Sequence, residues 1–140
     1  MSDRVIEELD EAECLGLIAP GGIGRIAYAG RFGPVVLPVN YRWHDGAVVF
    51  RTTAHSALDE DLQTGIAGAD YQVAFEIDEF DQDDRQGWSV LIQGPAHHVP
   101  EGERASAEAA GVRPWPEGKR EMFVRIVPYR TTGRRIHPAG

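Results

Sequence analysis

Apolar positions recur along this chain with two periods, and the change of period divides it into elements. Asp10 followed three residues later by Glu13 makes a capping-box pattern, and Ala12, Leu15, Leu17 and Ile18 form a short apolar stripe ending at Pro20-Gly21-Gly22. One short helix is predicted there. Beyond it, Ile23, Ile26 and Tyr28, then Val35, Leu37, Val39 and Tyr41, then Val48 and Phe50 fall in β-branched or aromatic runs separated by turn residues, which predicts three strands. Asp45-Gly46 between the second and third is a strong hairpin signal because glycine accepts positive φ cheaply, so 35–43 should pair antiparallel with 47–53.

Leu58, Leu62 and Ile66 recur every four residues and predict a helix over 56–66 with its apolar side down. Strands follow at 71–78, with Val73, Phe75 and Ile77 on one face, and at 88–99, with Trp88, Val90 and Ile92 on one face. The connection at 79–86 is acidic and expected to be exposed. A helix is predicted over the Ala- and Glu-rich 101–111, broken by Pro114-Trp115-Pro116, before a last pair of strands near 122–127 and 131–136. Six or seven short strands, mostly in hairpin order, predict an antiparallel barrel or sandwich. A parallel nucleotide-binding sheet is disfavoured: the chain has no G-x-G-x-x-G after a strand, no G-x-x-x-x-G-K-[ST] and no H-E-x-x-H.

Composition narrows the picture further. At 140 residues, 42% hydrophobic and 26% charged, the chain reads as one domain spanning 1–140, able to bury a core without staples. Its single cysteine, Cys14, lies within the predicted amphipathic helix and reads as a buried small hydrophobe. Fourteen basic side chains against twenty-two acidic ones give a net charge of −8, a poor balance for nucleic acid. The start lacks a signal-like apolar run and no eighteen-residue apolar stretch occurs, so a soluble cytoplasmic protein without membrane contact is expected. Residues 59–84 hold ten acidic residues and no basic one, the pattern of a solvated face. Arg125, Arg130, Arg134 and Arg135 form a basic tail that would balance it across a dimer. His97 and His98 point to opposite faces of a strand, so no metal site is expected.

Three segments carry candidate chemistry. Phe50-Arg51-Thr52-Thr53-Ala54-His55-Ser56 passes from a strand into a helix start, combining a forked guanidinium, three hydroxyls and helix-start amides, a set suited to a phosphate. The plainer reading makes Ser56 an N-cap and the threonines ordinary strand residues. Leu37-Pro38-Val39-Asn40-Tyr41 places a proline inside a strand, which belongs at an edge or irregularity where unpaired backbone can meet a ligand, or at a bulge with no guest. Trp88 in Gly87-Trp88-Ser89-Val90 either stacks on a flat ring or serves the core.

Taken in order, G-R-I-A, P-V-N-Y, the Asp-Gly hairpin, F-R-T-T-x-x-S, A-F-E-I-D and G-W-S-V-L-I-Q-G resemble the pyridoxamine 5′-phosphate oxidase-like family of FMN-binding split β-barrels, near its actinobacterial nitroimidazole-resistance branch. The resemblance runs over about 10–135, through P-W-P-E-G to T-G-R-R-I. It implies a six-stranded antiparallel Greek-key split barrel that forms a homodimer with two FMN sites between subunits; Trp43, Trp88 and Trp115 are interface candidates on size. It places Pro38, Val39, Asn40 and Tyr41 along the isoalloxazine, Arg51, Thr52, Thr53 and Ser56 on the ribityl chain and phosphate, and Trp88 and Ser89 at the ring or its rim. One departure stands out: where the family commonly reads G-x-K-L or S-K-L, this chain has His55-Ser56-Ala57-Leu58, with Ala57 in place of the phosphate-contacting lysine. His55, when protonated, is a partial substitute. The expected function is an FMN-dependent oxidoreductase acting on a small molecule, the alternatives being an F420-binding reductase or a non-catalytic flavin or small-ligand carrier or sensor. No side-chain acid or nucleophile stands out as catalytic.

Overall fold

The Asp45-Gly46 turn closes as predicted: both residues take positive φ, 50° and 74°, and His44 pairs with Ala47. The computed structural model describes residues 4–53, 56–62, 71–99 and 121–138. Along these residues run β1 (Arg4–Leu9), α1 (Glu11–Ile18), β2 (Gly22–Gly30), β3 (Gly33–His44), β4 (Ala47–Thr53), α2 (Ala57–Asp61), β5 (Tyr71–Asp81), β6 (Gln86–His98), β7 (Glu121–Ile126) and β8 (Arg130–Pro138).

The strands form one sheet in the order β1-β8-β6-β5-β2-β3-β4-β7, and a further β6–β7 pairing closes six of them into an antiparallel barrel. After the β2-β3-β4 hairpins, β5 returns beside β2, the order of a Greek key. β6 serves two partners on one edge: Gly87–Gln93 pair with β8, whereas Ala96–His98 pair with β7. The barrel therefore splits along β6, and β8 leaves it carrying β1. This is the split barrel that the sequence resemblance implies.

Alternating side chains fill the interior. Ile26, Phe50, Phe75, Val90, Ile92, Val124 and Ile126 are fully buried, with the Phe50 and Phe75 rings stacked 6.1 Å apart. The predicted capping box starts α1: Asp10 Oδ1 accepts from the Glu13 amide at 2.8 Å, and Glu13 Oε1 accepts from the Asp10 amide at 3.3 Å. That helix buries Cys14 and Ile18, while Leu58 of α2 and Leu62 just after it enter the same core. Burial first, then Asp10 and Glu13, pushes the Cys14 thiol up, which keeps it protonated and inert as expected of a small core hydrophobe.

β1 is absent from the sequence prediction. It is an edge strand whose only buried side chain among those described is Leu9, with Ile6 59% exposed, so it shows no period-two pattern. Its logic lies in the partner: Glu7 and Glu8 oppose Arg135 and Arg134 of β8. That register sets two acidic positions of β1 opposite two basic positions of β8. The predicted helix over 101–111, the Pro-Trp-Pro break and the helix beyond Leu62 lie outside the described residues. Among the described residues, no helix is long and apolar enough to cross a membrane.

Candidate functional site

Two of the three segments singled out in the sequence are brought together by a fork between β3 and β4. Their ladder runs from His44↔Ala47 to Tyr41↔Phe50 and stops there. Continued by the same register, the next rungs would join Asn40 to Arg51, Val39 to Thr52 and Pro38 to Thr53. Instead the prongs part: Gly33–Asn40 stay on β2, and Arg51–Thr53 stay on β7. Proline lacks the N–H a ladder needs, so Pro38 suits the unpaired stretch. The fork thus sits between Pro38-Val39-Asn40 and Arg51-Thr52-Thr53, leaving backbone groups unbridged between its prongs.

Individual side chains divide by face. Thr52 is 8% exposed, and its Oγ1 lies 3.1 Å from Ser56 Oγ, so the two hydroxyls meet at the end of the β4 prong. Arg51 alternates to the other face, where its guanidinium stacks over the Phe123 ring at 4.8 Å. Stacking uses the flat face of the guanidinium and leaves hydrogen bonding to its edge. Pro38 is exposed, and Val39 and Asn40 are half-buried. Tyr41 stands at the base of the fork with its side chain inside the barrel, edge-on to Phe75 at 5.4 Å and donating to the Ile18 carbonyl at 2.8 Å. Burial pushes its hydroxyl up to about 12, so it remains a donor, and only its backbone lies on the β3 prong. Ala57 opens α2 with an exposed side chain. This described helix is only five residues long, so its dipole adds little. The Thr53 side chain and His55 lie outside the described residues.

Trp88 and Ser89 are elsewhere in the same chain. β6 is separated from β3 by β5 and β2, about 14 Å along the sheet at the usual strand spacing. Trp88 packs against the core and borders an open cavity of about 590 Å³ with Glu79, Phe80 and Arg135. Ser89 lines a second, of about 560 Å³, with Arg130, Thr132 and Arg134.

The acidic stretch is not a uniform solvated face. The Asp61 side chain is 8% exposed, accepting from Tyr28 Oη at 3.1 Å and from Arg31 Nε at 2.5 Å. Glu76 and Asp78 share one Arg25 nitrogen, each at 3.2 Å. Glu76 is pushed up to about 7, first by burial and then by Asp78, against the opposing pull of Arg25. Sequence reasoning missed both groups because their partners lie 30 to 53 residues away. The alternation of β5 does place Glu76 and Asp78 on one face, a signal that could have found that pair.

Residues 10–135 match the pyridoxamine 5′-phosphate oxidase family. An uncharacterised protein of Mycobacterium tuberculosis is 33% identical over 135 residues, covering 96% of this chain and 88% of that one. Among solved structures, an FAD binding protein from Mycobacterium smegmatis is 30% identical with a TM-score of 0.73, covering 91% of this chain and 98% of its own. A candidate 5-nitroimidazole antibiotic resistance protein from Bacteroides thetaiotaomicron shares the fold at 12% identity, with a TM-score of 0.74 and coverage of 99% and 95%. With a match over nine-tenths of its length and a barrel split along β6, the chain belongs to the pyridoxamine 5′-phosphate oxidase family.

Proposed function

We propose that the β3–β4 fork binds FMN and that the protein is an FMN-dependent oxidoreductase acting on a small molecule as a cytoplasmic homodimer. The observation that carries this reading is the fork itself, which parts where the two candidate segments begin. Its chemistry suits a flavin: a guanidinium edge for the phosphate on one face of β4, and on the other the Thr52–Ser56 hydroxyl pair that fixes the end of the prong, beside unpaired backbone on β3. The FAD binding protein of Mycobacterium smegmatis, at 30% identity, supports a flavin as the class of ligand.

In this reading Arg51, Thr52, Thr53 and Ser56 take the phosphate and ribityl chain, and Pro38, Val39, Asn40 and the Tyr41 backbone run along the ring. Trp88 and Ser89, about three strands away in the same chain, come from the second copy. A bound flavin supplies the hydride or electron chemistry, while these residues bind it, orient it and exclude water. A second reading takes Ala57 as its ground: without a cation at the start of α2, the fork accepts a deazaflavin such as F420 in place of FMN.

The test is the visible spectrum of freshly purified protein, identification of the chromophore released on denaturation, and NAD(P)H oxidation by the loaded protein. Released FMN with turnover supports the oxidoreductase, FMN without turnover supports a carrier or sensor, and released F420 supports the second reading. A protein that neither carries nor takes up any flavin or deazaflavin overturns all three.

A further inference from the structure

We infer that Asp61 is a positioning residue for the flavin-phosphate site, setting the fork by tying the helix that follows one prong to the hairpin that begins the other. This rests on the flavin reading above. Its ground is a continuous set of contacts. Tyr28 and Arg31 belong to the end of β2 and the turn into β3, and both donate to the Asp61 carboxylate. Arg31 also reaches Glu60 Oε2 at 3.6 Å. From α2 the coupling continues to the site: the Glu60 amide donates to the Ser56 carbonyl at 2.9 Å, and Ser56 Oγ meets Thr52 Oγ1.

Apolar packing alone does not fix this arrangement. Leu58 and Leu62 hold α2 against the core, but a greasy contact resists sliding and rotation far less than a nearly buried carboxylate with two directed donors. The hairpin side is also rigid. Tyr71 donates to the Ala29 carbonyl, and its ring stands edge-on to Tyr28 at 6.1 Å. A Cβ on Gly30 would come within 3.0 Å of Asp61 Oδ2, so helix and hairpin are already in close approach. Burial and the Asp61 hydrogen bond keep the Tyr28 proton in place, pushing the phenol up to about 12. Asp61 touches no ligand; it acts through Ser56 and Thr52.

The experiment titrates wild type, Asp61→Asn and Arg31→Ala with FMN and with riboflavin, which lacks the phosphate, alongside thermal unfolding of each. Asp61→Asn keeps an acceptor for Tyr28 and loses the charge that holds Arg31. Arg31 is 53% exposed, so Arg31→Ala provides a folded variant should Asp61→Asn fail to fold. The expected result is an FMN affinity lower by roughly tenfold in Asp61→Asn and a smaller drop in Arg31→Ala, with riboflavin within about twofold of wild type. Equal losses for both ligands would make Asp61 a general support of the fold and overturn the inference. So would FMN binding in Asp61→Asn equal to that of a wild type that prefers FMN, and a wild type that binds FMN no better than riboflavin removes the phosphate site on which the inference rests. A wild type that binds neither ligand overturns the flavin reading and this inference together.

Discussion

Gly94 sits where β6 changes partners, and replacing it with alanine should damage the barrel at its split. A Cβ there would lie 2.3 Å from the Val127 carbonyl oxygen, 3.1 Å from the Val127 carbonyl carbon and 3.2 Å from Pro128 Cα. All three are main-chain atoms of the connection from β7 to β8, so no flexible side chain can give way. To restore contact distance the connection must move outward by about 1 Å, which strains the Tyr129 amide bond to the Gln93 carbonyl, now 2.9 Å. Overpacking of this kind costs about 1–3 kcal/mol, and a weakened hydrogen bond adds up to about 1 kcal/mol. For a chain of this length the expected loss of about 3 kcal/mol lowers Tm by roughly 10 °C. Urea unfolding should show a lower midpoint with an unchanged m-value. A loss below about 0.5 kcal/mol would refute the reasoning, because the connection would then have room that its backbone distances deny.

Other consequences are as specific. Glu76→Gln should flatten the pH dependence of stability. The folded carboxyl titrates near 7, above its ordinary 4.5, so the folded state holds an extra proton and wild-type stability falls as pH rises through that window. With the side chain 35% exposed, solvent screening reduces the effect to about 1 kcal/mol, measured by urea unfolding across the window; an equal slope in the variant would contradict it. Gly16→Ala, in an exposed position of α1 with nothing within 4 Å of the added Cβ, should raise stability by about 0.5–1 kcal/mol in the same assay. Ala57→Lys, at the start of α2, should tighten FMN by an amount that shrinks with added salt; a salt-independent gain or none would show that no phosphate lies near it.

The barrel was readable because its strands carry their own pattern. Val73, Phe75 and Ile77 alternate cleanly, and Asp45-Gly46 fixes a register that propagates to Tyr41↔Phe50. What the sequence hid depends on distant pairing. β1 has no apolar alternation because its partner supplies the complementary charges, and β3 and β6 begin two residues before the predicted strands while β5 ends three residues after its own, because pairing continues after burial ends. The candidate segments were visible by residue type, but the fork between them was not. It follows from where a ladder stops, and Pro38 was its only local sign. Tyr41 shows the converse limit: motif position put it beside a ring, while strand alternation turned its side chain into the core.

The most direct test of the flavin fork is calorimetric titration of wild type and Arg51→Ala with FMN and with riboflavin. If the Arg51 guanidinium meets the phosphate, removing it forfeits a charge-assisted contact of about 1.5–3 kcal/mol, one to two decades of FMN affinity, and leaves riboflavin unchanged. An equal loss for both ligands, or a wild type that binds FMN no better than riboflavin, would contradict a phosphate site between the prongs of β3 and β4.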